Sequence, residues 1–168
     1  EGRRVAFFPG SSIGNFSPAD SARFLRQARE LVGDQGALLL GVDLKKNVDV
    51  LHAAYNDSEG VTAAFNLNVL SHLNTLVGTD FDRSSFRHVA FYNAAHGRIE
   101  MHLEAARAQK VTLGEWSVEI DEGERIHTEN SHKFDHAQVV QEAAVAGFSE
   151  HVMWTDPNGW FGVYLLHN

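Results

Sequence analysis

The stretch Val5-Ala6-Phe7-Phe8-Pro9-Gly10-Ser11-Ser12-Ile13-Gly14-Asn15-Phe16 drives an apolar strand straight into a loop punctuated by glycine and closed by an amide. Glycine lets backbone N–H groups come close to a ligand, and the Asn15 carboxamide can donate and accept at once. Loops at strand ends of this kind are where open α/β sheets hold small molecules. The ten histidines pose a second chemical question. His132 and His136 are four apart, and His102 shares one side of an expected strand with Arg98 and Glu100. Two imidazoles and a carboxylate could hold a metal. The spacings match no strong metal signature, so no metal is expected and the histidines read as solvated or locally hydrogen-bonded. Arg87 and Lys110 likewise read as needing no function, and no residue declares itself a nucleophile or general base.

The elements that must position these groups follow from patterning. Ser17-Pro18-Ala19-Asp20 is a helix start, with a serine N-cap, proline at the first helical position and an acid three residues after the cap. Phe24, Leu25, Ala28, Leu31 and Val32 recur at helical spacing until Gly33 or Gly36 ends the helix. Ala37 to Leu44 is nearly continuous apolar sequence of strand length, as expected of a strand covered on both faces. The pattern then changes. Short and long helices are expected over 48–55 and 61–77, the longer one mixing Phe65, Leu67, Leu70 and Leu73 with Asn68. Between Phe86 and Ile120 the chain alternates as strands do, with Ile99, Met101 and Leu103 on one face and Arg98, Glu100, His102 and Glu104 on the other. Asp135 then starts a helix closed by Gly147, a strand follows, and Asp156-Pro157-Asn158-Gly159 reverses the chain into a last apolar strand.

This order predicts an α/β protein in which residues 1–44 and 134–168 belong to one doubly wound sheet and residues 45–133 form an inserted α+β lobe. Its 168 residues, 43% hydrophobic and 21% charged, suffice for a real core. A net charge of −8 without any basic run argues against a nucleic-acid partner. There is no apolar run long enough for a membrane span, and the lack of cysteine fits a reducing compartment such as the cytoplasm. The chain opens Glu1-Gly2-Arg3-Arg4 with no initiator methionine and reads as the C-terminal part of something longer.

Four blocks together carry a family resemblance: the opening stretch from Phe7 to Phe16; Gly41 to Lys46 with Leu51 to Asp57; Thr62 to Asn68; and Ile126-His127-Thr128-Glu129-Asn130-Ser131-His132-Lys133-Phe134. They resemble the histidine-specific Nα-methyltransferases of ergothioneine biosynthesis, which use S-adenosylmethionine to make trimethylhistidine (hercynine). The closing helix, strand and antiparallel strand also resemble how Rossmann-like methyltransferases finish their sheet. The resemblance implies that Gly10 and Asn15 lie beside the substrate, that Asn15 and the Tyr55 hydroxyl hold the carboxylate of L-histidine, that Met101 lines the pocket, and that Glu129 and Ser131 engage the imidazole. The chain departs from the family's full pattern at the cofactor site. Gly10 and Gly14 stand in an FPG-x-x-x-G-N setting and not in a G-x-G-x-x-G turn, and the strands and acidic residue that would hold most of S-adenosylmethionine are missing. An N-terminal part of the same protein is therefore the expected partner. Two other readings compete: an inactive or partial amino-acid-binding fragment, and a histidine-rich metal-dependent enzyme.

Overall fold

The computed structural model describes residues 2–168. In chain order its elements are β1 (Val5–Phe8), a 3₁₀ turn (Ser12–Asn15), α1 (Pro18–Val32), β2 (Ala37–Asp43), α2 (Val48–Tyr55), α3 (Val61–Val77), a second 3₁₀ turn (Arg83–Ser85), β3 (Phe86–Asn93), β4 (Arg98–Ala105), β5 (Gln109–Leu113), β6 (Trp116–Ile120), β7 (Arg125–His132), α4 (His136–Val145), β8 (Glu150–Thr155) and β9 (Phe161–His167). They divide into two compact units. One comprises residues up to 47 with 94–98 and 130–168, the other residues 48–93 and 99–129. No helix among the described residues is long and apolar enough to cross a membrane.

The first unit is built on a four-stranded sheet in the order β1-β2-β9-β8. β1 and β2 run parallel, from Val5 opposite Ala37 to Phe8 opposite Leu40. The last strand, β9, enters between β2 and β8 and runs antiparallel to both, pairing Ala37 with His167 on one side and Glu150 with His167 on the other. β1 and β8 are the outer strands, and Val5 and Phe7 on β1 are 55% and 68% exposed. The core lies against the inner strands, where Leu38, Leu40, Val42, Tyr164 and Leu166 pack with Ile13, Leu25, Val139 and Phe148. α1 earns its place locally: Ser17 Oγ accepts the Asp20 N–H, Pro18 fills the first turn, and Leu25, Ala28 and Val32 bury one stripe. α4 repeats the logic with Asp135, whose carboxylate accepts the Gln138 N–H at 2.9 Å. The reversal before β9 is tied by Asp156, which accepts from the N–H groups of Asn158, Trp160 and Phe161.

In the second unit, α2 and α3 pack on β3, which neighbours β4 in a three-stranded sheet of order β3-β4-β7, while β5 and β6 form a hairpin. Two apolar clusters hold it, one around Leu70, Phe86, Leu103, Val111 and Ile120 and one around Leu51, Ile99 and Met101. Two features run against simple patterning. On β4 the two carboxylates of the polar face, Glu100 and Glu104, are buried too, and Glu104 is gripped by Arg87 Nε at 2.8 Å and Arg125 Nε at 2.6 Å, which hold its carboxyl below the usual range. Arg87 thus has a structural job. On α3 the polarity is inverted: Phe65 and Leu76 are 64% and 78% exposed, while the amide Asn66 is 1% exposed.

Candidate active site

In the first unit the loop leaving β1 is shaped by contacts with protein. Ser11 adopts a left-handed conformation (φ 57°), unusual for a residue with a side chain, and its Oγ accepts the Asp43 N–H at 2.7 Å. The Gly14 N–H closes the turn on the Ser11 carbonyl. Gly14 is buried against the end of β7, where an added Cβ would sit 2.9 Å from the His132 carbonyl oxygen. His132 Nδ1 lies 2.9 Å from the Gly14 carbonyl and must donate to it, which assigns the proton to Nδ1. The bareness of Gly14 is therefore used on the protein's own backbone. Gly10, by contrast, is exposed with only Ser12 Oγ near its missing Cβ, and Asn15 is exposed at the end of the turn. Both lie at the C-terminal end of a parallel strand, where α/β sheets take ligands.

Behind that loop lies a buried charge cluster. Lys133, fully excluded from solvent, reaches Asp43 Oδ2 at 2.7 Å and donates to Ser131 Oγ at 2.8 Å. Asp43 also pairs with Lys46, whose ammonium lies 5.8 Å from the Trp160 ring centroid. Ser131 is itself buried. Lys45 donates to Asp135 at 2.8 Å and lowers its carboxyl.

In the second unit Tyr55 ends α2 half-buried, and its backbone is pinned by a polar relay. The Tyr55 carbonyl receives His88 Nε2 at 2.9 Å, so the other ring nitrogen of this imidazole accepts from Asn66 Nδ2 at 2.9 Å. Asn66 also donates to the His102 carbonyl at 3.0 Å and accepts from Thr128 Oγ1 at 2.7 Å. Met101 packs in the apolar cluster with Leu51, Ile99 and Tyr55. Glu129 is half-buried on β7, two residues before Ser131. Sequence reasoning missed Asn66, His88 and Lys133 as determinants. Asn66 and Lys133 stood as polar residues inside two of the four family blocks, whereas His88 lies outside all of them.

The histidines separate by role. His132 and His136 do not join, since His132 bonds Gly14 and His136 Nδ1 lies 3.2 Å from the Tyr164 hydroxyl. Glu100, His102 and His127 do gather, with possible ligand atoms within 4.8 Å of one another. The His102 and His127 rings are stacked, with centroids 4.5 Å apart and planes 17° apart, and Phe91 stacks on His102 at 5.4 Å. His102 Nε2 lies 3.4 Å from Glu100 Oε2, and His127 Nε2 lies 3.1 Å from the Glu129 carbonyl, so each of these ring nitrogens has a protein acceptor beside it. Desolvation lowers the His102 pKa, which suits a neutral ring in this stack.

The comparisons agree in direction. The family described as "Histidine-specific methyltransferase, SAM-dependent" matches residues 1–168. Histidine N-alpha-methyltransferase of Mycolicibacterium smegmatis is 46% identical over 98% of this chain, and that of Mycobacterium tuberculosis 44% identical over 98%. The alignments cover 52% of each of those proteins, so the chain spans about half the length of the curated relatives it matches. Among solved structures, the CcbJ methyltransferase of Streptomyces caelestis covers 99% of this chain and 62% of its own, with 13% identity and a TM-score of 0.50, a likeness of fold. An α/β sheet with its last strand antiparallel, the opening FPG-x-x-x-G-N loop and a family match along the whole chain lead to one assignment: the chain belongs to the histidine-specific, S-adenosylmethionine-dependent methyltransferases.

Proposed function

We propose that the protein carrying this chain methylates the α-amino nitrogen of L-histidine, giving trimethylhistidine in ergothioneine biosynthesis. The observation that carries this reading is the 46% identity, along 98% of the chain, to a protein named histidine N-alpha-methyltransferase. In this reading residues 1–44 and 134–168 supply part of the methyltransferase sheet and residues 45–133 most of the substrate lobe. S-adenosylmethionine supplies an electrophilic methyl on a sulfonium, and its site lies largely on segments of the relatives that this chain does not match. The chain's own residues bind and orient the amino acid. Gly10 and Asn15 lie beside the substrate, and Asn15 and the Tyr55 hydroxyl hold its carboxylate with neutral donors that place no full charge beside the amine. Met101 lines the pocket, Glu129 accepts an imidazole N–H, and Ser131 pairs with the other ring nitrogen. Orientation is most of the task, since well-aligned reactants reach effective molarities of about 10⁵ to 10⁸ M.

The test is Glu129→Ala in the full-length protein, with histidine affinity by calorimetry and turnover by methyl transfer. Removing a charged hydrogen-bond partner from the imidazole should weaken both by about tenfold or more. Unchanged affinity and turnover refute the imidazole assignment. The half-length match also favours a second reading for the isolated chain, an amino-acid-binding piece without cofactor affinity. Binding heat on titrating the chain alone with S-adenosylmethionine contradicts that reading.

A further inference from the structure

We propose that Lys133 is a positioning residue for histidine recognition, acting through Ser131 by holding its hydroxyl as a hydrogen-bond donor. The inference rests on the reading of Ser131 as an imidazole partner. Lys133 is fully buried, and its ammonium sits between the Asp43 carboxylate, 2.7 Å away, and Ser131 Oγ, 2.8 Å away. Its backbone is fixed as well, since the Lys133 N–H donates to the Gly97 carbonyl at 2.8 Å and the following Phe134 N–H donates to the Asp43 carbonyl at 3.0 Å. An ammonium has donors only, so Ser131 Oγ must be the acceptor in this bond. Cationic donation to one lone pair polarises the O–H and strengthens it as a donor to a further group. The partner that such a hydroxyl suits is a ring nitrogen with its lone pair free.

A neutral imidazole offers one such nitrogen and one N–H. Glu129, two residues earlier on the same strand, is an acceptor and takes the N–H. Lys133 would thus favour a neutral imidazole in a single tautomer and disfavour a ring with no acceptor. A site built on directed hydrogen bonds rejects a shape analogue lacking them far better than an apolar pocket does.

The experiment uses the full-length protein and two ligands, L-histidine and β-(2-thienyl)alanine, whose ring has similar size and no nitrogen. Affinities are measured by calorimetry or by competition for wild type, Ser131→Ala, Lys133→Met and the double variant. Loss of the directed bond should lower histidine affinity about 10- to 100-fold in each single variant and leave thienylalanine affinity within about twofold. The double variant should be no weaker than Ser131→Ala. A uniform loss for both ligands, or an unchanged affinity ratio in Lys133→Met, overturns the proposal and leaves Lys133 a structural cation. Should Ser131→Ala leave histidine affinity intact, the imidazole reading itself falls and this inference with it; a loss in Ser131→Ala alone refutes only the role of Lys133. If Lys133→Met does not fold because Asp43 is stranded, Lys133→Met/Asp43→Asn removes both charges and the same ratio decides.

Discussion

Replacing Asn66 with leucine probes the relay that fixes the end of α2. The amide is buried and serves three partners: it donates to His88 Nδ1 at 2.9 Å and the His102 carbonyl at 3.0 Å, and accepts from Thr128 Oγ1 at 2.7 Å. Leucine has similar volume but strands the first two, each costing about 1–3 kcal/mol as a buried group without its bond. Thr128 is spared, because the Met101 carbonyl lies 3.0 Å from its hydroxyl. Burying leucine in place of the amide offsets about 1–2 kcal/mol. The net is a loss of about 2–3 kcal/mol, which in a protein of this size lowers the melting midpoint by about 5–10 °C. Scanning calorimetry of wild type and Asn66→Leu measures it. A drop below about 2 °C refutes the relay as a source of stability. A double-mutant cycle with His88→Phe sharpens the test, since removing both partners should cost at least about 1 kcal/mol less than the sum of the single losses. Strict additivity would mean that the two residues do not act together.

Other outcomes follow from single contacts. In Gly41→Ala the new Cβ would lie 1.8 Å from the Pro9 carbonyl oxygen, so the loop after β1 must move; a loss of about 1–3 kcal/mol or more is expected in urea unfolding, and a wild-type midpoint contradicts it. Asp57 receives the Val61 and Thr62 N–H groups at 2.8 and 2.9 Å, and its pKa is lowered to about 2, first by the Thr62 side chain. A depressed carboxylate stabilises the fold above its unfolded pKa of about 3.9, and that contribution is lost as pH falls toward the folded value. The stability difference between wild type and Asp57→Asn should therefore shrink from pH 4 to pH 2, and a constant difference across that window rules the linkage out.

Local chemistry was legible where it acts locally. Both cap motifs, Ser17 with Asp20 and Asp135 with Gln138, form as their residue types require, and the helices at 48–55 and 61–77 have the expected bounds. Apolar continuity in Ala37 to Val42 marked the inner strand. Alternation along β4 separated its two faces but could not reveal that the polar one is covered, because Glu104 is satisfied by arginines 17 and 21 residues away. The same limit hid Asn66, whose partners lie on three strands, and the use of Gly14, whose close neighbour is the His132 backbone 118 residues on. Lys133 sat unremarked inside a motif noticed for its neighbours. The residues proposed to hold histidine come from the family resemblance; patterning by itself reached only the loop after β1, whose Gly10 and Asn15 are exposed in the fold.

The rim of the four-stranded sheet has a practical consequence. β1 has one neighbour among the described residues, and its far flank offers main-chain donors and acceptors beside bare Val5 and Phe7. Such a flank behaves as an adhesive seam that any extended peptide can zip onto. For the isolated polypeptide the nearest supplier is another molecule of itself, so its solubility should be governed by that seam more than by its eight excess negative charges.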